Sequence, residues 1–205
     1  MAQLLFENAA LLDIDVGLLR PGTSVLVEDE RIVEVSEGSL RAPDARRIDC
    51  GGRTLMPGLI DAHVHCAITT MDLAAMERRP LTLVAQEARV VLEQMLQRGF
   101  TTVRDAGGAM GFGTDLLGET HAQQNREFGI RARVLPAVEV LRSATRVNAR
   151  ILGREGELGI VAPGALADLL VIDGDPLADI SVLERPEQSP RAVVRGGELL
   201  VDRLD

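Results

Sequence analysis

The stretch PGLIDAHVHC, residues 57–66, places two histidines two positions apart at the end of a short apolar run. The run is rich in Leu, Ile and Val and follows a Pro-Gly pair, which favours a β-strand. Because side chains alternate between the faces of a strand, His63 and His65 are expected to project together at its carboxyl end. Imidazole is a good ligand for zinc and similar divalent ions. The stretch therefore predicts half of a metal site, with Asp61 on the same side and able to support the pair from behind.

The histidine pair alone leaves a second interpretation open. An HxH pattern also occurs on half-exposed strands that bind nothing, and two imidazoles do not complete a tetrahedral site. Cys66 follows the pair but points to the opposite face, so it is expected to be a small core residue. The remaining ligands have to be sought elsewhere in the chain.

Composition limits the classes of protein to which the chain can belong. Hydrophobic residues make up 46% and charged residues 26%, as in ordinary globular domains. The formal charge of −9 disfavours nucleic acid or an anionic membrane as the main partner. Two cysteines without a CxxC pattern, a start without a basic n-region and no apolar run of about 20 residues favour a cytoplasmic protein.

The pattern of apolar, polar and turn-forming residues changes twice along the chain. Residues 1–57 and 158–205 read as short strands separated by turns, whereas residues 58–157 read as strands alternating with helices. Within the middle part, LIDAHVH, a helix over 71–98 and FTTVRDAGG form a strand–helix–strand unit. The predicted fold class is α/β plus all-β: an α/β domain inserted into a β-sandwich made from both chain ends.

Four stretches together resemble the amidohydrolase superfamily. PGLIDAHVH resembles its opening motif, GFTTVRDAGG (99–108) its second barrel strand, and GFGTDLLGE (111–119) its eighth strand. The stretch EGELGIVAPGALADLLVIDGDPLADISVL (155–183) is similar to the return into the urease-like composite β-sandwich of that family. The resemblance is strongest to the imidazolonepropionase-like and prolidase-like branch.

The resemblance implies a metal-dependent hydrolase on a (β/α)8 barrel that cleaves amides, cyclic amides or dipeptides. In the family, the strand-one histidines bind one metal, a carboxylated lysine bridges two, and strands five and six add one histidine each. The strand-eight aspartate binds metal and moves a proton from water to the leaving nitrogen. By position, His63 and His65 match the histidine pair and Asp115 matches the aspartate, which makes Asp115 the candidate catalytic residue.

The other half of the family's site has no counterpart in this sequence. All 22 basic residues are Arg, so the chain has no lysine to carboxylate. A (β/α)8 barrel needs about 250 residues, and about 97 lie between Leu59 and Glu155, which suffices for about three βαβ units. The sequence thus predicts a barrel with units one, two and eight, joined near 108–111, and a mononuclear site for zinc or a similar ion at most.

Several other residues have both a functional and a structural interpretation. His121 is the third of three histidines, and it is interpreted as a helix-surface or loop-packing residue or, alternatively, as a helix-borne third ligand. Arg104 either touches substrate or pairs with Asp105 at a strand end. The glycine-rich stretch 107–113 lacks the GK[ST] ending of a phosphate loop. Asp168 is expected to be a turn residue of the sandwich.

Three functions stay open from the sequence. The chain is an amidohydrolase by descent with impaired or no activity, an altered mononuclear hydrolase using His63, His65 and Asp115, or a non-catalytic binding or assembly module. The expected partners are a small amide or dipeptide substrate and a second copy of the chain, since open sheet edges and apolar helix faces promote self-association. Nucleic acid and membranes are not expected partners.

Overall fold

The fold is known from a computed structural model that describes residues 3–72, 75, 78–105 and 113–204. The predicted junction near 108–111 lies outside the described residues. These described residues form ten strands: β1 Gln3–Asp13, β2 Leu18–Glu28, β3 Arg31–Glu37, β4 Arg46–Asp49, β5 Thr54–Pro57, β6 Leu59–Val64, β7 Phe100–Asp105, β8 Leu169–Ile172, β9 Ala192–Arg195 and β10 Glu198–Asp202. The helices are α1 Leu81–Gln97, α2 Arg126–Ala132, α3 Ala137–Arg142 and α4 Asn148–Ile151, with 3₁₀ helices Gly118–Gln123 and Ile180–Leu183 and a π-helical segment Ser143–Val147 between α3 and α4.

Both ends of the chain contribute to one large sheet. Eight strands form a mixed sheet in the order β10-β9-β8-β5-β1-β2-β3, with β4 also paired to β1. The strand β5 joins the two sequence segments, since it runs parallel to β1 and antiparallel to β8. Strand β3 also meets the segment before β8, where the amide of Ile32 donates to the carbonyl of Ala165 at 3.0 Å. The strands predicted as a sandwich are therefore joined by hydrogen bonds into a single sheet that curls around its core.

Alternating side chains of β8 and β9 divide the interior into two cores. Leu169, Val171 and Val194 pack into the core enclosed by the large sheet. Leu170 and Val193 point the other way, into a core shared with the helices and the middle of the chain. The large sheet thus serves as a platform against which the residues of the candidate site are placed.

The middle of the chain contains the predicted strand–helix–strand unit. Strands β6 and β7 are parallel neighbours, and α1 connects them. The helix begins after Pro80 and ends at Gln97, and Gly99 with φ +96° turns the chain into β7. The predicted start at residue 71 is wrong, because the described residues 71–72 and 78–80 are not helical and the residue before a proline disfavours helical backbone. The carboxyl ends of β6 and β7 consequently lie at the same edge of this sheet, which is where His63, His65 and Asp105 occur.

Some predicted elements differ from the structure. No strand is present over residues 113–119, the described part of the predicted eighth strand, because Asp115 adopts a left-handed φ of +52°. Residues 158–161 form no strand because Gly159 has φ +71° and packs its backbone on Thr145. Gly129, a residue type that often ends helices, lies inside α2, and its missing side chain leaves room for Glu184.

None of the helices in the described part of the chain is long and apolar enough to cross a bilayer.

Candidate metal centre

The two histidines come together at the carboxyl end of β6. His63 lies in the strand and His65 is one residue beyond its end. Their rings lie edge to face, with centroids 5.2 Å apart and an interplanar angle of 73°. Their side chains are 31% and 27% exposed, so the ring nitrogens can be reached from outside while the rings pack against the protein. The strand geometry expected from the sequence thus brings both imidazoles to one side.

Asp115 lies directly opposite the two rings. Its Oδ1 atom is 3.3 Å from Nε2 of His63 and 3.1 Å from Nε2 of His65. Its amide donates a hydrogen bond to the carbonyl of His63 at 3.0 Å, so the segment around Asp115 runs beside β6. Aspartate tolerates the left-handed conformation that this residue adopts better than most residues do. The three residues that the sequence proposed as metal ligands are therefore brought together.

The close approach of this segment depends on Gly113. A Cβ atom at position 113 would lie 2.7 Å from the Cβ of His63. Any side chain would push the two segments apart, because that distance is far below van der Waals contact. Glycine at 113 therefore lets the backbone before Asp115 pass against the histidine.

Asp61 occupies the position behind the site, without touching either imidazole. It is fully buried, and its Oδ1 accepts hydrogen bonds from the amides of His63 at 3.1 Å and Thr114 at 3.3 Å. Its Oδ2 accepts from Oγ1 of Thr114 at 2.8 Å and Nε2 of Gln124 at 2.7 Å. Burial raises the pKa of the Asp61 carboxyl, and these hydrogen bonds act in the opposite direction. The predicted support thus acts on the backbone of the ligand-bearing segments instead of on the rings.

A buried arginine completes this network. Nη2 of Arg98 donates to Oε1 of Gln124 at 3.1 Å, and Arg98 is 8% exposed. Burial lowers the pKa of Arg98 to about 10, which leaves the guanidinium protonated at neutral pH. Composition and motif spacing gave no sign of Thr114, Gln124 or Arg98, since each lies far in sequence from Asp61 and joins its network only in the folded chain.

His121 lies close to the site but outside the cluster. It belongs to the 3₁₀ helix Gly118–Gln123 and is 3% exposed, so a helix-surface position is wrong. Burial lowers the pKa of its imidazole, while the nearby carbonyls of Ile68 and His65 favour the charged form. Neither ring nitrogen makes a hydrogen bond of regular geometry within the described part of the chain. The residue packs behind the loop that follows His65.

The end of β7 contributes a further acidic group. Oδ1 of Asp105 is 3.9 Å from Nδ1 of His65, on the side of the ring away from Asp115. Arg104, the preceding residue, is partly buried on β7. The pairing of Val64 with Asp105 places the carboxylate at the same sheet edge as the histidines. The rule that parallel strands share their carboxyl edge could have indicated Asp105 from the sequence.

The cluster offers a donor set that suits a divalent metal. One ligand atom each from His63, His65 and Asp115 lies within 4.8 Å of the others. Two imidazole nitrogens and one carboxylate oxygen form a set known in mononuclear metal sites with open positions. These residues therefore fit one ion of zinc or a similar metal, with room for further ligands on the exposed side of Asp115.

A family model for the "Amidohydrolase family" matches this sequence in two stretches, residues 54–112 and 105–200. The matched stretches contain His63, His65 and Asp115 and cover most of the chain. The chain belongs to the amidohydrolase family. The resemblance stated from the sequence motifs is thereby confirmed.

Curated relatives match parts of this amidohydrolase. A 5-methylthioadenosine/S-adenosylhomocysteine deaminase of Syntrophobacter fumaroxidans is 29% identical over 170 residues, which cover 71% of this chain and 39% of the relative. A 5'-deoxyadenosine deaminase of Methanosarcina acetivorans is 41% identical over 71 residues, which cover 34% of this chain and 16% of the relative. The chain thus spans well under half the length of these curated relatives.

Solved structures show the same fold. The crystal structure of an amidohydrolase aligns with a TM-score of 0.96 at 23% identity, over 100% of both chains. A prolidase complexed with N-methylphosphonate-L-proline aligns with a TM-score of 0.94 at 22% identity, over 98% of this chain and 100% of that chain. At these identities the likeness concerns the fold alone. The mixed sheet and helices agree with the amidohydrolase fold and with part of a barrel.

Proposed function

We propose that this amidohydrolase is a C–N bond hydrolase by descent that keeps one metal-binding half of its site and has weak or no hydrolytic activity alone. The observation that carries the proposal is the convergence of His63, His65 and Asp115 within 4.8 Å. The three residues come from two separate segments, and a dedicated set of hydrogen bonds brings those segments together. An HxH motif that occurred on a strand by chance would not be expected to have such a carboxylate and such hydrogen bonds beside it.

Each residue of the site would have a defined task. His63 and His65 would hold the metal through Nε2, since both of those atoms face Asp115. A divalent ion bound there would polarise a carbonyl and make water more acidic. Asp115 has a side chain that is 67% exposed, so a substrate can reach it, and it could take a proton from water and deliver it to a leaving nitrogen.

The weakness of the activity follows from what is missing beside these residues. The sequence has no lysine, and its third histidine is buried outside the cluster. The family model matches in two stretches that meet at residues 105–112, where the middle of a barrel would be lost. Among the described residues the Asp115 side chain is 67% exposed and therefore open to water, and misplacement of a reacting group by about 1 Å costs on the order of 100-fold in rate.

The substrate class is proposed as a small molecule with a hydrolysable C–N bond. Amides, cyclic amides and dipeptides follow from the resemblance to the imidazolonepropionase-like and prolidase-like branch, and aminopurine nucleosides follow from the similarity to the two deaminases. The division of the chain into a composite β domain, residues 1–57 and 158–205, and an incomplete barrel, residues 58–157, belongs to the same proposal. So does the cytoplasmic location.

Self-association is the second part of the proposal. Within the described residues, β7 pairs with β6 alone, and its other edge has no strand beside it. Helix α1 exposes the apolar side chains of Leu83, Val90 and Leu92, and a groove of about 380 Å³ runs between α1 and β7. An open strand edge beside apolar side chains favours pairing with another copy of the chain.

Metal analysis and hydrolysis assays test the proposed function. Protein stripped with a chelator would be titrated with Zn²⁺ and Co²⁺ in a calorimeter, with His63→Ala, Asp115→Asn and the surface variant Val134→Ala in parallel. We expect one ion per chain in the wild type and in Val134→Ala, and none in His63→Ala. Release of ammonia from adenosine derivatives and of amino acids from X-Pro dipeptides and N-acyl amino acids would be close to background.

Two results would change the assignment. Stoichiometric metal with substantial cleavage that Asp115→Asn abolishes would establish an active mononuclear hydrolase instead. Absence of metal binding in the wild type would leave a non-catalytic binding or assembly module.

A further inference from the structure

The buried carboxylate of Asp61 joins two segments that carry proposed metal ligands. It accepts hydrogen bonds from the amide of His63 and from both the amide and the hydroxyl of Thr114. Thr114 immediately precedes Asp115, whose own amide donates to the carbonyl of His63. One short stretch of β6 is thus bonded on both sides to the backbone that presents the Asp115 carboxylate.

Gln124 and Arg98 keep the Asp61 carboxylate in its place. Arginine has hydrogen-bond donors only, so the Gln124 oxygen must face Arg98 and the Gln124 NH₂ group must face Asp61. Gln124 is 1% exposed and Asp61 is fully buried, so bulk solvent does not reach these bonds. The order of donors and acceptors therefore runs in one direction, from Arg98 through Gln124 to Asp61.

The conformation of Asp115 needs such support. Its φ of +52° lies in the left-handed region, which costs free energy for a residue with a side chain. Its side chain is 67% exposed, and its carboxylate faces the two imidazole rings and otherwise solvent in the described part of the chain, so solvent alone would not fix its direction. A residue in this conformation persists when its surroundings determine it.

We propose that Asp61 and Thr114 are positioning residues: by joining Thr114 to the His63 amide, Asp61 holds the Asp115 carboxylate where both imidazoles meet it. The proposal rests on the metal site of the proposed function and adds residues that do not contact the ion. Groups that orient metal ligands from behind typically contribute 10- to 100-fold to metal affinity.

The test compares Thr114→Val with Thr114→Ser. Valine removes the hydroxyl that binds Asp61 and keeps the shape of the side chain, whereas serine keeps the hydroxyl. Asp168→Asn is the matched control. Asp168 is also a buried carboxylate, at 7% exposure, and it accepts a hydrogen bond from the amide of Gly196, which is far from the site in sequence. The readouts are Co²⁺ affinity by calorimetry, the visible spectrum of bound Co²⁺, and ¹⁵N signals of the histidine rings in metal-free protein.

We expect Thr114→Val to bind Co²⁺ roughly tenfold or more weakly with an altered visible spectrum. Thr114→Ser and Asp168→Asn should match the wild type within about twofold. In metal-free Thr114→Val the Nε2 signals of His63 and His65 should move, because the Asp115 carboxylate leaves them. Unchanged ring signals and unchanged Co²⁺ affinity in Thr114→Val would overturn the positioning role. If the wild type binds no Co²⁺, the proposed function fails, and the ring signals of the metal-free variants still decide the positioning role.

Discussion

Gly113 lies against His63 so closely that a Cβ atom at position 113 would come within 2.7 Å of the histidine Cβ. We therefore expect Gly113→Ala to separate Asp115 from the two imidazoles and to weaken zinc binding by roughly tenfold or more, as measured by calorimetry. Gly164→Ala is the control, since no atom lies within 4 Å of a Cβ there, although its φ of +90° strains the backbone. The control should lose roughly 1–2 kcal/mol of stability and no metal affinity. Equal metal binding by both variants would contradict the close approach.

Phe128 is the main apolar anchor of the helical part of the chain. It is fully buried in α2, and its ring lies against that of Phe100 in β7 with centroids 6.3 Å apart. Phe128→Ala should lower the free energy of unfolding by about 3–5 kcal/mol, because it removes a large buried side chain. Val134→Ala, at a position that is 82% exposed, should stay within about 0.5 kcal/mol of the wild type. Urea denaturation measures both, and a loss below about 1 kcal/mol for Phe128→Ala would count against the packing described above.

The two thiols should be unreactive in the folded protein. Burial raises the pKa of Cys50 to about 12, and Cys50 is fully buried in the core of the large sheet. Cys66 is also buried and unpaired. A thiol reagent such as DTNB attacks the thiolate, so at pH 8 the native chain should release almost no chromophore. Two thiols per chain should react after unfolding in urea, and rapid labelling without denaturant would contradict the burial of the two thiols.

Asp168 should make the stability of the chain depend on pH. Burial raises the pKa of its carboxyl, so the protonated form is favoured in the folded state. Asp168 therefore stabilises the folded chain below the ordinary aspartate pKa of 3.8, and this stabilisation is lost as the pH rises through the raised pKa of the folded state. Asparagine keeps an oxygen for the Gly196 amide but cannot ionise. Between pH 4 and pH 7 the free energy of unfolding of Asp168→Asn should therefore rise relative to that of the wild type. A difference between the two that does not change with pH would refute the raised pKa of Asp168.

Leu92 lies in the groove between α1 and β7 and is 42% exposed. If copies of the chain associate through this face, Leu92→Arg should shift sedimentation velocity profiles toward monomer at concentrations where the wild type is a dimer or larger. Val134→Arg introduces the same charge at an exposed apolar residue outside this groove and should leave the profile unchanged. A wild type that stays monomeric at all concentrations would reject the proposal.

The sequence predicted the local elements well where side-chain pattern and turn chemistry agree. The β6 strand, helix α1 ending before Gly99, and strand β7 follow the alternation of apolar residues and the glycine stop, and all are present. The strand expected over 111–119 is absent from its described part, residues 113–119, and residues 158–161, within the segment 158–205 predicted to form short strands, form none. Asp115 and Gly159 take left-handed conformations there that depend on contacts with distant backbone. Periodicity carries no information about such contacts.

Sequence by itself determined the family, the histidine pair and the absence of lysine, because these depend on residue identity and on spacing within single segments. Tertiary structure alone decided that Asp115 meets both imidazoles, that Asp61 binds Thr114 and Gln124, and that His121 is buried outside the cluster. These relations join residues up to 63 positions apart, as Asp61 and Gln124 are. They arise when hydrogen bonds satisfy buried polar groups of separate segments, which only the folded chain brings within reach.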